Sequence, residues 1–78
     1  LTFIGTPCIY YGDEIGMTGE MDPGCRKCMI WDQEQQNREL FEHVRKLIHL
    51  RREHPLLAND GELRFVLSGS DDSCLVYT

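Results

Sequence analysis

No stretch of the 78 residues comes near the roughly 20 consecutive apolar residues that a membrane span requires, and no signal-peptide pattern is visible. A basic excess is missing as well. Eight Lys and Arg face thirteen Asp and Glu, and a formal charge of −5 argues against a nucleic-acid binder, which would show a basic face. Cysteines at 8, 25, 28 and 74 are too thinly spread for a small disulfide-stapled scaffold, so free thiols in a cytoplasmic protein are expected. There is no internal repeat. What is present, 41% hydrophobic and 27% charged residues, is ordinary for a folded chain and argues against disorder.

A chain this short buries only about 60% of its unfolded surface and is marginal unless stapled or assembled. Both ends read as cut. Leu1-Thr2-Phe3-Ile4 opens inside an apolar run, and Leu75-Val76-Tyr77-Thr78 closes with strand character, whereas natural termini are usually polar and frayed. The expectation is an excerpt of a longer protein. Its elements lack their neighbours, which invites self-association into a homo-oligomer.

Three zones follow one another. Phe3, Ile4, Ile9, Tyr10 and Tyr11 make residues 1 to 14 apolar, and Gly5-Thr6-Pro7 interrupts them. The strand proper is expected at Cys8–Tyr11, and a continuous apolar run suits a parallel strand covered on both faces. Residues 15 to 31 are rich in glycine, show no period of 2 or 3.6, and read as a long functional loop. From Asp32 to His54 the pattern is helical. Leu40, Phe41, Val44, Leu47 and Ile48 form one stripe, Asp32 and Asn37 compete as N-cap, and Glu42 and Lys46 form an i,i+4 pair. Pro55 stops the helix. The basic cluster Arg38, Arg45, Lys46, Arg51 and Arg52 is interleaved with glutamates and reads as a solvated helix face. A linker, Leu56 to Gly61, leads to a hairpin: Leu63, Phe65 and Leu67 alternate with polar or outward positions. Ser68–Asp72 supplies the turn, and Cys74–Tyr77 returns.

Four groups of residues can be weighed for chemistry. Asp13 and Glu14 invite a paired-carboxylate mechanism, but neighbours on an extended chain point to opposite sides, so one of them is expected to turn inward to a structural bond. Asp22 and Arg26 flank Pro23-Gly24, which can turn the chain until the side chains meet. A carboxylate accepts from paired sugar hydroxyls, and a guanidinium donates through a planar fork. The alternative for that pair is a loop-stapling salt bridge. Cys25 and Cys28 form one CxxC, but zinc needs two further ligands, and a thiol redox motif opens a helix directly after a strand. Trp31, Tyr10 and Tyr11 read first as packing residues, the tyrosines with hydroxyls that seek partners.

The run Gly5-Thr6-Pro7-Cys8-Ile9-Tyr10-Tyr11-Gly12-Asp13-Glu14-Ile15-Gly16 resembles the eighth strand of the α-amylase family of glycoside hydrolases. The continuation Asp22-Pro23-Gly24-Cys25-Arg26-Lys27-Cys28-Met29-Ile30-Trp31-Asp32 is similar to the neopullulanase, cyclomaltodextrinase and maltogenic amylase group within it. Leu47 to Pro55 resembles that family's eighth barrel helix, and the strands after Gly61 resemble the start of its C-terminal β-domain. The resemblance implies an α/β fold: residues 1–55 end a catalytic (β/α)8 TIM barrel, 56–61 are a linker, and 62–78 begin an antiparallel C-terminal β-sandwich. It also implies a retaining hydrolase of α-1,4-glucans, cyclodextrins or pullulan, with an α-glucan oligosaccharide as partner and no cofactor or metal.

In that family the nucleophile and acid/base residues come from earlier strands. None maps onto this chain, so no catalytic residue is assigned, and residues 1–78 alone are expected to be inactive. Asp22 and Arg26 do map, as holders of sugar hydroxyls on the non-reducing side of the cleaved bond. The rival reading is a small helical/β interaction module whose CxxC contributes to a metal site.

Overall fold

Leu40, Phe41, Val44, Leu47 and Ile48 recur at helical spacing. The computed structural model, which describes residues 1–67 and 75–78, places them on one half-buried face of helix α1, Arg38–Glu53. The helix begins where Asn37 can cap it, with Asn37 Oδ1 accepting from the Leu40 amide at 3.0 Å. Asp32, the other expected cap, serves a separate 3₁₀ turn, Gln33–Gln35, by accepting from the Glu34 amide at 3.0 Å. The pattern expected to be helical from Asp32 is thus two elements with a break at Gln36. Glu39 in the first turn and Arg51 and Arg52 in the last suit the helix dipole. Glu42 pairs with Arg45 at 3.7 Å and not with Lys46; being exposed, the pair contributes at most about 1 kcal/mol.

Arg51 departs from the solvated face expected of it: it is only 9% exposed. Its Nη1 donates to the carbonyls of Leu1 and Phe3 at 2.7 and 2.8 Å. Its Nη2 donates to those of Gly5 and Ala58 at 2.5 and 3.1 Å. One planar guanidinium therefore joins the chain's first five residues, the end of α1 and the turn beyond it, a task that suits a fork of rigid donors. Arg51 lies four residues past Leu47, so it belongs to the apolar stripe by spacing.

The expected linker is itself structured. Pro55 opens a π-helical turn, Leu56–Asp60, and Gly61 follows it so closely that a Cβ there would collide with the Leu56 carbonyl. Strand β1, Phe65–Leu67, then pairs antiparallel with β2, Val76–Tyr77, with Phe65 opposite Tyr77 and an irregularity before Leu67 meets Val76. Arg64 and Thr78 exchange both backbone hydrogen bonds, at 2.9 and 2.8 Å, and extend the pairing by one residue. The expected turn Ser68–Asp72 and Cys74 lie outside the described residues. Phe3 meets Tyr77 edge-on at 5.3 Å and Phe65 at 6.3 Å, so the start of the chain rests on the hairpin.

The strand expected at Cys8–Tyr11 joins no ladder among the described residues. A strand exists only by exchanging backbone hydrogen bonds with another, and among the described residues none supplies them to Cys8–Tyr11. Ile9, Tyr10 and Tyr11 stay between 40% and 49% exposed as a result. Ile15 is the one buried hydrophobic side chain among the described residues, seated where α1 packs on the turn Asp13–Ile15. No helix among them is long and apolar enough to cross a membrane.

Candidate ligand-binding loop

The loop between Ile15 and α1 is built on a closed base. Gly12 has φ +96°, a conformation that side chains resist, and a Cβ there would sit 2.7 Å from Met17 Sδ. This glycine ends the apolar run and starts the 3₁₀ turn Asp13–Ile15, its carbonyl accepting from the Ile15 and Met17 amides at 3.2 and 2.9 Å. The Ile15 carbonyl then accepts from the Asn37 amide at 2.9 Å. The chain leaves for residues 16–36 and returns to the same point, as in a compact surface loop with neighbouring ends.

Two further bonds hold the loop in place. The Tyr11 hydroxyl donates to the Lys27 carbonyl at 2.7 Å, and Gln36 Nε2 donates to the Ile30 carbonyl at 2.7 Å. Tyr11 is thus a packing residue whose hydroxyl finds a partner in the loop, tying the far side of the loop to the apolar run. At the tip the Gly24 amide donates to the Met21 carbonyl at 2.7 Å and the Arg26 amide to the Pro23 carbonyl at 2.9 Å. These successive turns bring Arg26 Nη2 to 2.9 Å from Asp22 Oδ2. Both side chains stay open, 62% exposed for Asp22 and 68% for Arg26.

The ion pair engages one of the five guanidinium N–H groups and one carboxylate oxygen, so both partners keep capacity for a ligand bearing hydroxyls. As a surface staple it contributes at most about 1 kcal/mol.

Asp13 and Glu14 lie on a 3₁₀ turn and not on extended chain, because Gly12 ends the extension. Glu14 nevertheless turns back to structure, its Oε2 accepting from the Gly12 amide at 2.9 Å, while Asp13 is exposed. Next to the loop, Tyr10, Tyr11, Asp13, Glu20, Cys25 and Lys27 line a hollow of about 180 Å³. The rings of Tyr10 and Tyr11 are 4.7 Å apart. Desolvation, followed by the hydrogen bond and proximity of Tyr11, raises the pKa of Tyr10.

Trp31 is 80% exposed and does not pack as expected, since the turn Gln33–Gln35 separates it from α1. Cys25 and Cys28 are exposed free thiols. Among the described residues no three His, Cys, Asp or Glu side chains gather as a metal ion would require.

No family model matches the chain. Over its whole length, however, it is 72% identical to a maltogenic alpha-amylase from Bacillus acidopullulyticus, of which it spans 14%. It is also 57% identical over 77 residues, 99% of the chain, to a cyclomaltodextrinase from Geobacillus thermopakistaniensis, of which it spans 13%. The chain belongs to the neopullulanase, cyclomaltodextrinase and maltogenic amylase group of the α-amylase family.

Another member of the group, an intracellular maltogenic amylase from Bacillus subtilis, is 49% identical over 63 residues, 81% of this chain and 11% of that enzyme. Among solved structures, Ttha1563 from Thermus thermophilus superposes with a TM-score of 0.79 at 34% identity, over 99% of this chain and 16% of that one. The cyclic alpha-maltosyl-(1→6)-maltose hydrolase from Arthrobacter globiformis superposes with a TM-score of 0.71 at 38% identity, over 81% of this chain and 14% of that one. The chain therefore corresponds to a small part of much longer proteins, spanning 14% and 13% of the first two relatives. The interaction-module reading finds no support in these relatives.

Proposed function

We propose that this α-amylase-family segment is the rim of a glucan-binding cleft in a longer retaining glycoside hydrolase. In this reading residues 1–55 close a (β/α)8 barrel, 56–61 connect, and 62–78 begin a C-terminal β-domain. The parent acts on α-1,4-glucans, cyclodextrins or pullulan. Asp22 and Arg26 hold sugar hydroxyls there, and the acid and nucleophile lie on parts of the parent outside these residues. A cytoplasmic location is in keeping with the intracellular maltogenic amylase of Bacillus subtilis.

The observation that carries the reading is the open ion pair: Asp22 and Arg26 meet at 2.9 Å yet remain mostly exposed, at the tip of a loop tied at Ile15–Asn37 and Tyr11–Lys27. A tethered loop presenting a paired carboxylate and guanidinium is suited to a polyhydroxy ligand, because both charged groups form stronger hydrogen bonds than neutral ones. Asp22→Ala and Arg26→Ala in the full-length enzyme should each lower kcat/KM about 10- to 100-fold on a maltooligosaccharide, the loss of a hydrogen bond to a charged group. The melting temperature should stay unchanged. Unaltered kinetics with a lowered melting temperature would mean that the pair is only a staple.

A further inference from the structure

Arg26 lies between two exposed thiols, Cys25 and Cys28, and the structure holds all three in one particular backbone path. Residues 22–25 form the turn that sets the ion pair, whereas residues 26–30 carry neither turn nor bend. Three residue steps of fully extended chain span at most roughly 10 Å, and no turn or bend shortens the path from Arg26 to Cys28. A disulfide needs Cα atoms within about 7 Å. The two thiols are therefore near in sequence but not set for a bond in this conformation. Closing them requires a new turn at Arg26 and Lys27.

That turn has a structural consequence. The Lys27 carbonyl is held by Tyr11 at 2.7 Å, the Arg26 amide by Pro23 at 2.9 Å, and the Arg26 guanidinium by Asp22 at 2.9 Å. Bending the chain between them changes the direction of the very peptide groups that make these bonds. A Cys25–Cys28 disulfide would therefore be incompatible with the observed arrangement, in which the Asp22–Arg26 pair is assembled.

We propose that Cys25 and Cys28 are a thiol–disulfide switch that disassembles the Asp22–Arg26 pair on oxidation. The proposal rests on the reading of that pair as a sugar contact. The oxidant is a low-molecular-weight disulfide. One cysteine thiolate attacks it, forms a mixed disulfide and expels one thiolate. The other cysteine thiolate then attacks the protein sulfur of that mixed disulfide and expels the second. Two electrons pass from the two protein sulfurs to the reagent, and their two protons end on the two released thiols. Both cysteines are exposed, as this exchange requires.

The test uses the full-length enzyme carrying this segment, treated with oxidised glutathione and then with dithiothreitol. Peptide mapping should show a Cys25–Cys28 linkage, lighter by two hydrogens than the dithiol peptide. KM for a maltooligosaccharide should rise about 10-fold and recover on reduction, the size of one lost contact to a charged group. Cys28→Ser should lose both the linkage and the rise in KM, whereas Cys8→Ser should retain them. Absence of the linkage in the wild-type enzyme overturns the switch. So does a linkage that leaves KM unchanged while Arg26→Ala raises it, an outcome that leaves the sugar-contact reading standing. If Arg26→Ala itself leaves KM unchanged, that reading fails first and the switch loses its target.

Discussion

Replacing Arg51 by methionine removes the guanidinium but keeps an unbranched apolar stem, so it tests the four carbonyl contacts with little change in packing. The guanidinium is a charged donor to Leu1, Phe3, Gly5 and Ala58. Hydrogen bonds to charged groups contribute about 1.5–3 kcal/mol each when isolated, but four bonds from one group are not additive. Phe3 and Gly5 are exposed residues whose carbonyls can turn to water, whereas Leu1 and Ala58 are half-buried. Counting chiefly the half-buried acceptors leaves a loss of about 3 kcal/mol. The loss is local. It falls on the attachment of residues 1–5 and of the turn Leu56–Asp60 to α1, and not on the helix, which keeps its Asn37 cap and apolar stripe.

Hydrogen exchange read by mass spectrometry on the full-length enzyme reports such local openings directly. With about 3 kcal/mol removed, amides of residues 1–5 and 56–61 should exchange on the order of 100-fold faster, at 1.4 kcal/mol per factor of ten. Peptides from the middle of α1 should be unchanged. Arg51→Lys should fall between the two, because an ammonium retains the charge but not the fork that reaches four acceptors. Unchanged exchange at residues 1–5 in Arg51→Met, with the enzyme still folded, would refute the argument that this arginine fastens the segment.

Two other substitutions probe the base of the loop. Asn37→Ala removes the cap on Leu40 and should cost about 1 kcal/mol, read as faster exchange in the first turn of α1 with its last turn unaffected. Gly12→Ala should cost about 1–3 kcal/mol, because φ +96° and the close approach of Met17 both oppose a side chain. Its effect should show as a lowered melting temperature and faster exchange across residues 12–17.

Local signals in the sequence were strongest where the element depends on its own residues. Helix α1 follows from its stripe and its caps, and both cap candidates proved to be used, Asn37 by the helix and Asp32 by the preceding turn. What the helical reading missed was that one stretch could hold two elements, since Gln36 is extended between them. The hairpin too is local, and Phe65 and Tyr77 from its two arms stand opposite each other. Cys8–Tyr11 is different. A strand needs a partner to exchange backbone hydrogen bonds with, and an apolar composition can announce a strand without supplying the ladder. Arg51 is the converse case: the cluster of charges around it points to solvent, while its spacing from Val44 and Leu47 places it on the inward stripe, where it is buried.

The loop shows why the Asp22–Arg26 contact is legible when the surrounding fold is not. Asp22 and Arg26 are four residues apart, with Pro23-Gly24 between them, and turn chemistry alone brings them within hydrogen-bonding reach. No distant contact is needed for that step. Rigidity is another matter, because it comes from Tyr11 to Lys27 and from Ile15 to Asn37, pairs that neither periodicity nor residue type marks in advance. An exposed ion pair on a free loop spends most of its time in other geometries, and a ligand that selects the paired one must offset that entropy. Tying the loop at two points reduces that cost before any ligand arrives. Residue types thus name the groups that form the ion pair, and the tethers at residues 11 and 15 decide how far the loop that carries it is arranged in advance.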